Sequence, residues 1–321
     1  MSLISPLDKL KIPIVGSPLF IISNPDLVIA QCKAGIVGSF PCLNAREDEG
    51  QPNMLHIWLK KINEELDKYN QENPDNPAAP YAVNHIVHKS NVRLEQDIDI
   101  CAEWKAPIWI TSLGARPEVN KVAHEAKGIV LHDIINNFFA KKAIEKGADG
   151  LVAVAAGAGG HAGTLSPFAL IQEIREWFNG TLLLSGSIAN GGAVLAAQAM
   201  GADLAYIGSA FIATNEANAD QRYKEMITTS SADDIIYTNL FTGVHGNYLK
   251  GSIEAQGLDP NNLEVSDSSQ MNFSSGASKP KSWKEIWGSG QGISAVKSIL
   301  STSDLVKRIN HEYIEAKNNL I

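Results

Sequence analysis

The chain is poor in the features that mark several protein classes. It has three cysteines in 321 residues, an odd number with no CxxC pair, which excludes a disulfide framework and a thiolate zinc ribbon and suits a reducing, cytoplasmic interior. No apolar run reaches the ~18–20 residues of a membrane helix. The nearest thing to a secretory leader, Ile12 to Ile22 after Lys9 and Lys11, is broken by Pro13, Gly16 and Pro18, so it reads as a buried first strand. Basic residues are outnumbered, 27 against 35 acidic, for a net charge of −8, which argues against a general nucleic-acid binder. Charged residues make up only 19% and apolar residues 44%; such a chain buries a core and is not disordered. Walker, GxSxG, GxGxxG and HExxH motifs are missing.

What is present is a strand–helix alternation. Short apolar runs at Ile12–Ser17, Gly35–Phe40, Tyr81–Ile86, Pro107–Thr111, Gly128–Leu131, Leu151–Val154, Thr181–Leu184 and Leu204–Ile207 are each followed by a helical pattern. Asn24-Pro25 supplies an N-cap and a first-turn proline, while Gly35, Gly147 and Gly201 close helices. A longer charged helix is expected from about Pro52 to Tyr69, and others over about Val92 to Trp104 and Pro167–Phe178. Gly147-Ala148-Asp149 and Gly201-Ala202-Asp203 repeat the same helix-to-strand junction. Continuous apolar strands are those of a parallel sheet covered on both faces. Eight units between about residues 10 and 230 match a (β/α)8 barrel, with a doubly wound open sheet as the structural alternative. Residues 231–321 break the rhythm. Leu258 to Pro280 reads as a polar loop, with a segment from Trp283 to Gly292 and a helix from about Ser303. The expected organisation is one barrel over 1–230 with an extension over 231–321 packed on it, not an independent domain.

In such barrels chemistry gathers at the C-terminal ends of the strands, with phosphate after the seventh and eighth. Here those loops are Ser185-Gly186-Ser187-Ile188-Ala189-Asn190-Gly191-Gly192 and Gly208-Ser209. Glycine lets backbone amides approach an anion, helix N-termini add partial positive charge, and the hydroxyls of Ser185, Ser187 and Ser209 add hydrogen bonds; glycines that merely permit tight turns are the alternative. The sixth strand runs into Ala155-Ala156-Gly157-Ala158-Gly159-Gly160-His161-Ala162-Gly163, one imidazole among residues with almost no side chain. A flat ligand can lie along Gly159 and Gly160 while His161 moves a proton or polarises an oxygen. Otherwise His161 caps the next helix or satisfies a buried carbonyl. His85 and His88 flank a strand end, His132 pairs with Asp133, and His124 and His245 have no partner motif; none makes a metal site by spacing. Cys32, Cys42 and Cys101, without a histidine motif beside them, read as buried apolar residues.

Together these loops resemble the nitronate monooxygenases, formerly 2-nitropropane dioxygenases. Ala158-Gly159-Gly160-His161-Ala162-Gly163 is similar to the family's AGGHxG signature. Ser185-Gly186-Ser187-Ile188-Ala189-Asn190-Gly191 resembles its SGGIADG, and Gly201-Ala202-Asp203 through Gly208-Ser209 its LGAD…MGT. Pro13-Ile14 and Pro18-Leu19 look like the first strand and flavin-facing turn, Asn84 like the asparagine after the third strand, and Trp287-Gly288-Ser289-Gly290-Gln291-Gly292 like a loop closing over the cofactor. The resemblance implies FMN at the barrel mouth, its phosphate on the Ser185–Ser187 and Gly208-Ser209 loops. Pro18, Leu19 and Phe20 would approach the isoalloxazine, with Asn84 on its polar edge. His161 would stand near the reactive face, as base towards a nitroalkane or as a group holding a nitronate oxygen. The implied reaction is oxidation of an alkyl nitronate by O2 to a carbonyl compound and nitrite, the flavin carrying the electrons. Three positions depart from the family pattern: Leu19 for methionine, Ser187 for glycine and Ala210 for arginine, the last leaving more of the phosphate to backbone amides. An FMN barrel using NAD(P)H, of the quinone reductase or enoyl-acyl-carrier-protein reductase kind, shares the same loops and is the enzymatic alternative. A non-catalytic barrel binding a phosphorylated metabolite is the alternative from another class. Oligomeric state and the physiological nitro compound are not legible.

Overall fold

A computed structural model describes residues 3–46, 53–266 and 285–320. Its strands are β1 (Ile14–Gly16), β2 (Gly38–Pro41), β3 (Tyr81–Ile86), β4 (Ile108–Ser112), β5 (Ile129–Ile134), β6 (Gly150–Val154), β7 (Gly160–His161), β8 (Thr181–Ser185), β9 (Leu204–Ile207), β10 (Ile235–Thr238) and β11 (Gly246–Leu249). The helices used below are α1 (Pro25–Lys33), α2 (Met54–Glu72), α3 (Leu94–Glu103), α4 (Pro117–Glu125), α5 (Asn137–Glu145), α6 (Pro167–Arg175), α7 (Gly191–Met200), α8 (Ser209–Ile212), α9 (Gln221–Thr229), α10 (Lys250–Ala255) and α11 (Thr302–Asn319).

Eight strands form one sheet in the order β1-β9-β8-β6-β5-β4-β3-β2, and every pairing is parallel. A parallel bridge between Val15 and Val37 closes the circle, with the Gly16 amide donating to the Val37 carbonyl at 2.8 Å. The fold is therefore a (β/α)8 barrel. The helix starts follow the capping chemistry of the sequence: the side chains of Asn24, Asn136 and Asn190 accept from the amides of Leu27, Phe139 and Ala193, each satisfying an otherwise orphaned donor. Gly201 ends α7 at φ +112°, a left-handed backbone that favours glycine.

The lower barrel interior is apolar. Val15, Val37, Ala82, Ile108, Ile110, Leu131, Val152, Leu183 and Leu204 pack together, and Leu7 from the amino-terminal segment joins them from beneath. The Ile4 amide donates to Thr181 Oγ1 at 3.1 Å, holding that segment under β8. Alternate residues point outwards into a second apolar layer beneath the helices, which includes Val83, Trp109, Val130, Leu151 and Leu182.

Two differences from the sequence reading have physical causes. First, β5 continues past Leu131 to Ile134, because the polar pair at its end finds partners. His132 and Asp133 are not paired with each other: alternation puts them on opposite faces of the strand, where His132 Nδ1 meets Thr111 Oγ1 at 2.6 Å and Asp133 accepts from Ser112 Oγ at 2.5 Å. Second, residues after 231 are not only loop and helix. β10 and β11 pair antiparallel, and β11 adds the two-residue β7 as a third strand, with Gly246 opposite His161 and Asn247 opposite Gly160. α11 packs on α7 and α1. Pro52, Ser268-Ser269, Ser274-Ser275, Pro280 and Trp283, which carried loop and helix-end expectations, lie outside the described residues.

Candidate active site at the barrel mouth

Two residues up each strand from the apolar layer, the interior turns polar. Asn84 follows Ala82 on β3, Ser112 follows Ile110 on β4, Asp133 follows Leu131 on β5, and Tyr206 follows Leu204 on β9. Asn84 donates from Nδ2 to the Ile110 carbonyl at 3.1 Å and to Ser112 Oγ at 2.8 Å. The Ser112 hydroxyl in turn donates a hydrogen bond to Asp133 Oδ2. Both amide hydrogens of Asn84 are thereby committed, leaving Oδ1 for any ligand. Asp133 Oδ1 is buried and has no hydrogen-bond partner among the described residues. Burial pushes this carboxyl up to about 7, against the Ser112 hydrogen bond that pulls it down. Burial, and second to it the nearby Asp133 carboxyl, push the pKa of the Tyr206 hydroxyl well above its usual value. None of Ser112, Asp133 or Tyr206 was singled out for a site in the sequence, because a strand buried on both faces shows no period-two pattern.

Above this layer the loops converge. A Cβ on Gly157 would sit 2.1 Å from Ser187 Oγ, and one on Gly159 would sit 2.8 Å from the Gly290 amide and 2.9 Å from Ser209 Oγ. Glycine is required there because four chain segments share the space. The segment from Trp287 to Gly292 laces them together: Gly290 N donates to Ser209 Oγ at 2.8 Å, Gln291 N to the Gly157 carbonyl at 2.9 Å, and Ser289 N to the Asn247 carbonyl at 3.1 Å. Tyr223 OH also donates to the Gly288 carbonyl. On the other side, Leu19 packs on Gly208, where a Cβ would meet Leu19 Cδ2 at 3.2 Å. The Leu19 turn is held by Asn44, which donates to the Leu19 carbonyl at 2.9 Å and accepts from the Ile21 amide at 2.8 Å. Pro18 and Phe20 are half-buried in the same turn, and the Arg46 guanidinium lies 5.5 Å from the Phe20 ring centroid.

The two loops expected to hold an anion follow β8 and β9. Ser187 stands at φ +56° and Gly186 at φ +143°, turning the loop back on itself after β8. The amides of Gly186, Gly208 and Ser209 make no hydrogen bond among the described residues. By contrast, the first amide of α7, Gly191 N, donates to Glu312 Oε2 of α11 at 2.9 Å, and a Cβ on Gly191 would lie 2.0 Å from the Tyr313 amide. The positive end of α7 is therefore answered by a carboxylate of this chain, not left open to a ligand. The Ser187 amide is also committed, to the Gly157 carbonyl at 3.2 Å.

His161 meets a hydroxyl of the carboxy-terminal extension. It sits half-buried on β7, with Nε2 3.0 Å from Thr242 Oγ1. The same hydroxyl is 2.9 Å from the Val244 carbonyl; with its proton on that carbonyl, Nε2 carries the ring hydrogen and donates, and the lone pair falls on Nδ1. Burial lowers its pKa from 6.5 to about 4, so the ring is neutral at pH 7. Thr242, 81 residues along the chain from His161, gave no local signal.

Comparison with known proteins agrees with this geometry. The family model described as nitronate monooxygenase matches residues 2–312. A nitronate monooxygenase of Paraburkholderia phytofirmans is 26% identical over 290 residues, 78% of this chain and 77% of its own. Nitroalkane oxidase from Streptomyces ansochromogenes superposes with a TM-score of 0.80 at 20% identity, covering 98% of this chain and 99% of its own. FabK from Thermotoga maritima gives 0.76, also at 20% identity, over 97% and 96%. At these identities the two structural likenesses bear on the fold alone. No helix among the described residues is long and apolar enough to cross a membrane.

Proposed function

The chain belongs to the nitronate monooxygenase family of flavin-dependent oxidoreductases, and from that premise we propose that it is an FMN-dependent enzyme oxidising alkyl nitronates with O2 to a carbonyl compound and nitrite. The observation that carries the reading is the meeting, at one barrel mouth, of uncommitted backbone amides with a neutral imidazole. The residues fit an FMN. Gly160, where a Cβ would meet nothing within 4 Å, leaves open space in which a flat ring can lie against the backbone. The free amides of Gly186, Gly208 and Ser209, with the hydroxyls of Ser185 and Ser209, suit a phosphate. Leu19 would flank the ring, and Asn84 Oδ1 and Asp133 would face its polar edge.

When bound, FMN supplies the electron transfer and the reaction with O2. The chain supplies position and proton handling. With Nε2 donating to Thr242, Nδ1 carries the lone pair that would take a proton from the carbon acid of a neutral nitroalkane. An anionic nitronate has already lost that proton and needs no base. Its charge would instead favour a protonated ring and raise the imidazole pKa from its buried value. The strap from Gly288 to Gly292 closes the loops from one side and limits water at the reacting atoms.

The test is aerobic turnover of propionate 3-nitronate and of its parent nitro acid by the yellow protein, with nitrite release measured. One nitrite per substrate is expected, and His161→Ala should lose the nitro acid far more than the preformed nitronate. Equal loss of both would remove the base role. A colourless protein, or no nitrite from either substrate, would contradict the assignment.

A further inference from the structure

The three cysteines looked apolar in sequence, yet the fold brings two of them to a histidine. Cys42 opens the turn after β2, His85 lies on the outward face of β3 directly behind Asn84, and Cys101 is on α3. Cys42 Sγ is 3.6 Å from His85 Nδ1 and 3.9 Å from Cys101 Sγ. All three ligand atoms lie within 4.8 Å of one another, and all three residues are buried. We propose that Cys42, His85 and Cys101 form a binding site for a thiophilic divalent cation, of which zinc(II) is the best fit, in the layer between the barrel wall and its helices.

Several observations carry this. The sulfurs at 3.9 Å are far outside the ~2.05 Å of a disulfide. They do match ligand spacing: with Zn–S of about 2.3 Å and Zn–N of about 2.0 Å, separations of 3.9 and 3.6 Å subtend roughly 110–116° at a shared ion, close to tetrahedral. The His85 ring is held in one plane by stacking on Trp109, with centroids 4.7 Å apart and 19° between planes. Its Nε2 is buried with no hydrogen-bond partner among the described residues. Asp97, buried one turn before Cys101 on the same helix and paired with Arg93 at 2.8 Å, acts on the ring only electrostatically. Charge balances as well. Two thiolates neutralise a divalent ion, giving a site with no net charge where bare thiolates would be prohibitive. Binding releases the two thiol protons to solvent, and the fourth position of the ion is left to a water molecule carried in with it.

The ion would join three elements, the Cys42 turn, β3 and α3. That turn ends in Asn44, whose side chain holds the Leu19 turn at the barrel mouth. The role is structural, two bonds removed from the site.

The experiment is metal titration of the full-length yellow protein after chelation and dialysis under reductant, using zinc chloride and, separately, cobalt(II) chloride. About one equivalent of either should remain after gel filtration. Cobalt should give ligand-field bands to the red of the flavin absorption and a sulfur-to-metal band, and zinc should raise the melting temperature by roughly 5 °C or more. Cys101→Ser and His85→Gln should lose bound metal, while Cys32→Ser, whose thiol is outside the cluster, should keep it. If a variant does not fold, the stoichiometry, cobalt spectrum and melting shift of the unaltered protein decide. Retention below about 0.1 equivalent by that protein would overturn the proposal, as would unchanged binding in folded Cys101→Ser. A Cys42–Cys101 disulfide in freshly isolated protein, read as a mass lower by two hydrogens, would also overturn it. None of these readouts depends on turnover or substrate, so failure here is separate from failure of the nitronate reading.

Discussion

The lower and upper halves of the barrel interior are built from the same strands two residues apart, and they are opposites. Below, Ala82, Ile110, Leu131 and Leu204 fill the tube with close-packed hydrocarbon. Above, Asn84, Ser112, Asp133 and Tyr206 continue the same strands as a polar floor with an orphaned carboxyl oxygen. The lower half supplies stability, whereas the upper half gives up stability to keep polar atoms ready for a ligand. Substitutions should therefore sort by height in the barrel, not by position in the chain.

The sharpest contrast is in turnover. His161→Ala, above the floor, should reduce oxidation of a neutral nitroalkane by about 10²–10⁴-fold with little change in melting temperature; a large loss of stability instead would make His161 a packing residue. Leu131→Ala, in the lower half, should do the reverse. It should cost about 2–5 kcal/mol in denaturant unfolding, while the flavin retained by the folded fraction turns over normally.

Asp133 breaks the comparison in a third way, through pH. Its carboxyl is raised from 3.8 to about 7 in the folded chain, so between those values the folded protein holds a proton that the unfolded chain has released. Its stability contribution is full below about pH 4 and is lost as pH rises through about 7, by something on the order of 4 kcal/mol. Asp133→Asn has no such proton to lose, so its melting temperature should gain on the unaltered protein from pH 5 to pH 8. A constant difference over that range would mean that the carboxyl is not buried as described. His161 has the opposite sign: lowered to about 4, it costs stability as pH falls from about 6.5, so the two titrations should be separated with single variants. The smallest effect expected is for Thr242→Val, which removes the acceptor of the His161 Nε2–H. A loss of roughly three- to tenfold in nitroalkane turnover, without loss of flavin, would fit an orienting hydrogen bond.

The same comparison explains what could be read from the residues alone. The barrel was legible because continuous apolar strands, asparagine caps and helix-ending glycines are local signals. The glycine loops around His161, Ser185–Ser187 and Gly208-Ser209 were legible for the same reason, and they converge as expected. The polar floor was not: Asp133 sits beside His132 in sequence, and only strand alternation shows that one faces the mouth and the other the helices. Glu312 on the α7 terminus, Thr242 against His161 and the Cys42–His85–Cys101 cluster arise from contacts across 43 to 121 residues, which no spacing rule reaches.

The most direct test of the upper half as a nitronate-oxidising site is anaerobic mixing of the purified yellow protein with an alkyl nitronate and, separately, with NADH. Bleaching of the flavin by the nitronate within the turnover time, with NADH leaving the spectrum unchanged on that timescale, is the expected result. Rapid bleaching by NADH and none by the nitronate would contradict it and make the barrel a nicotinamide-dependent reductase.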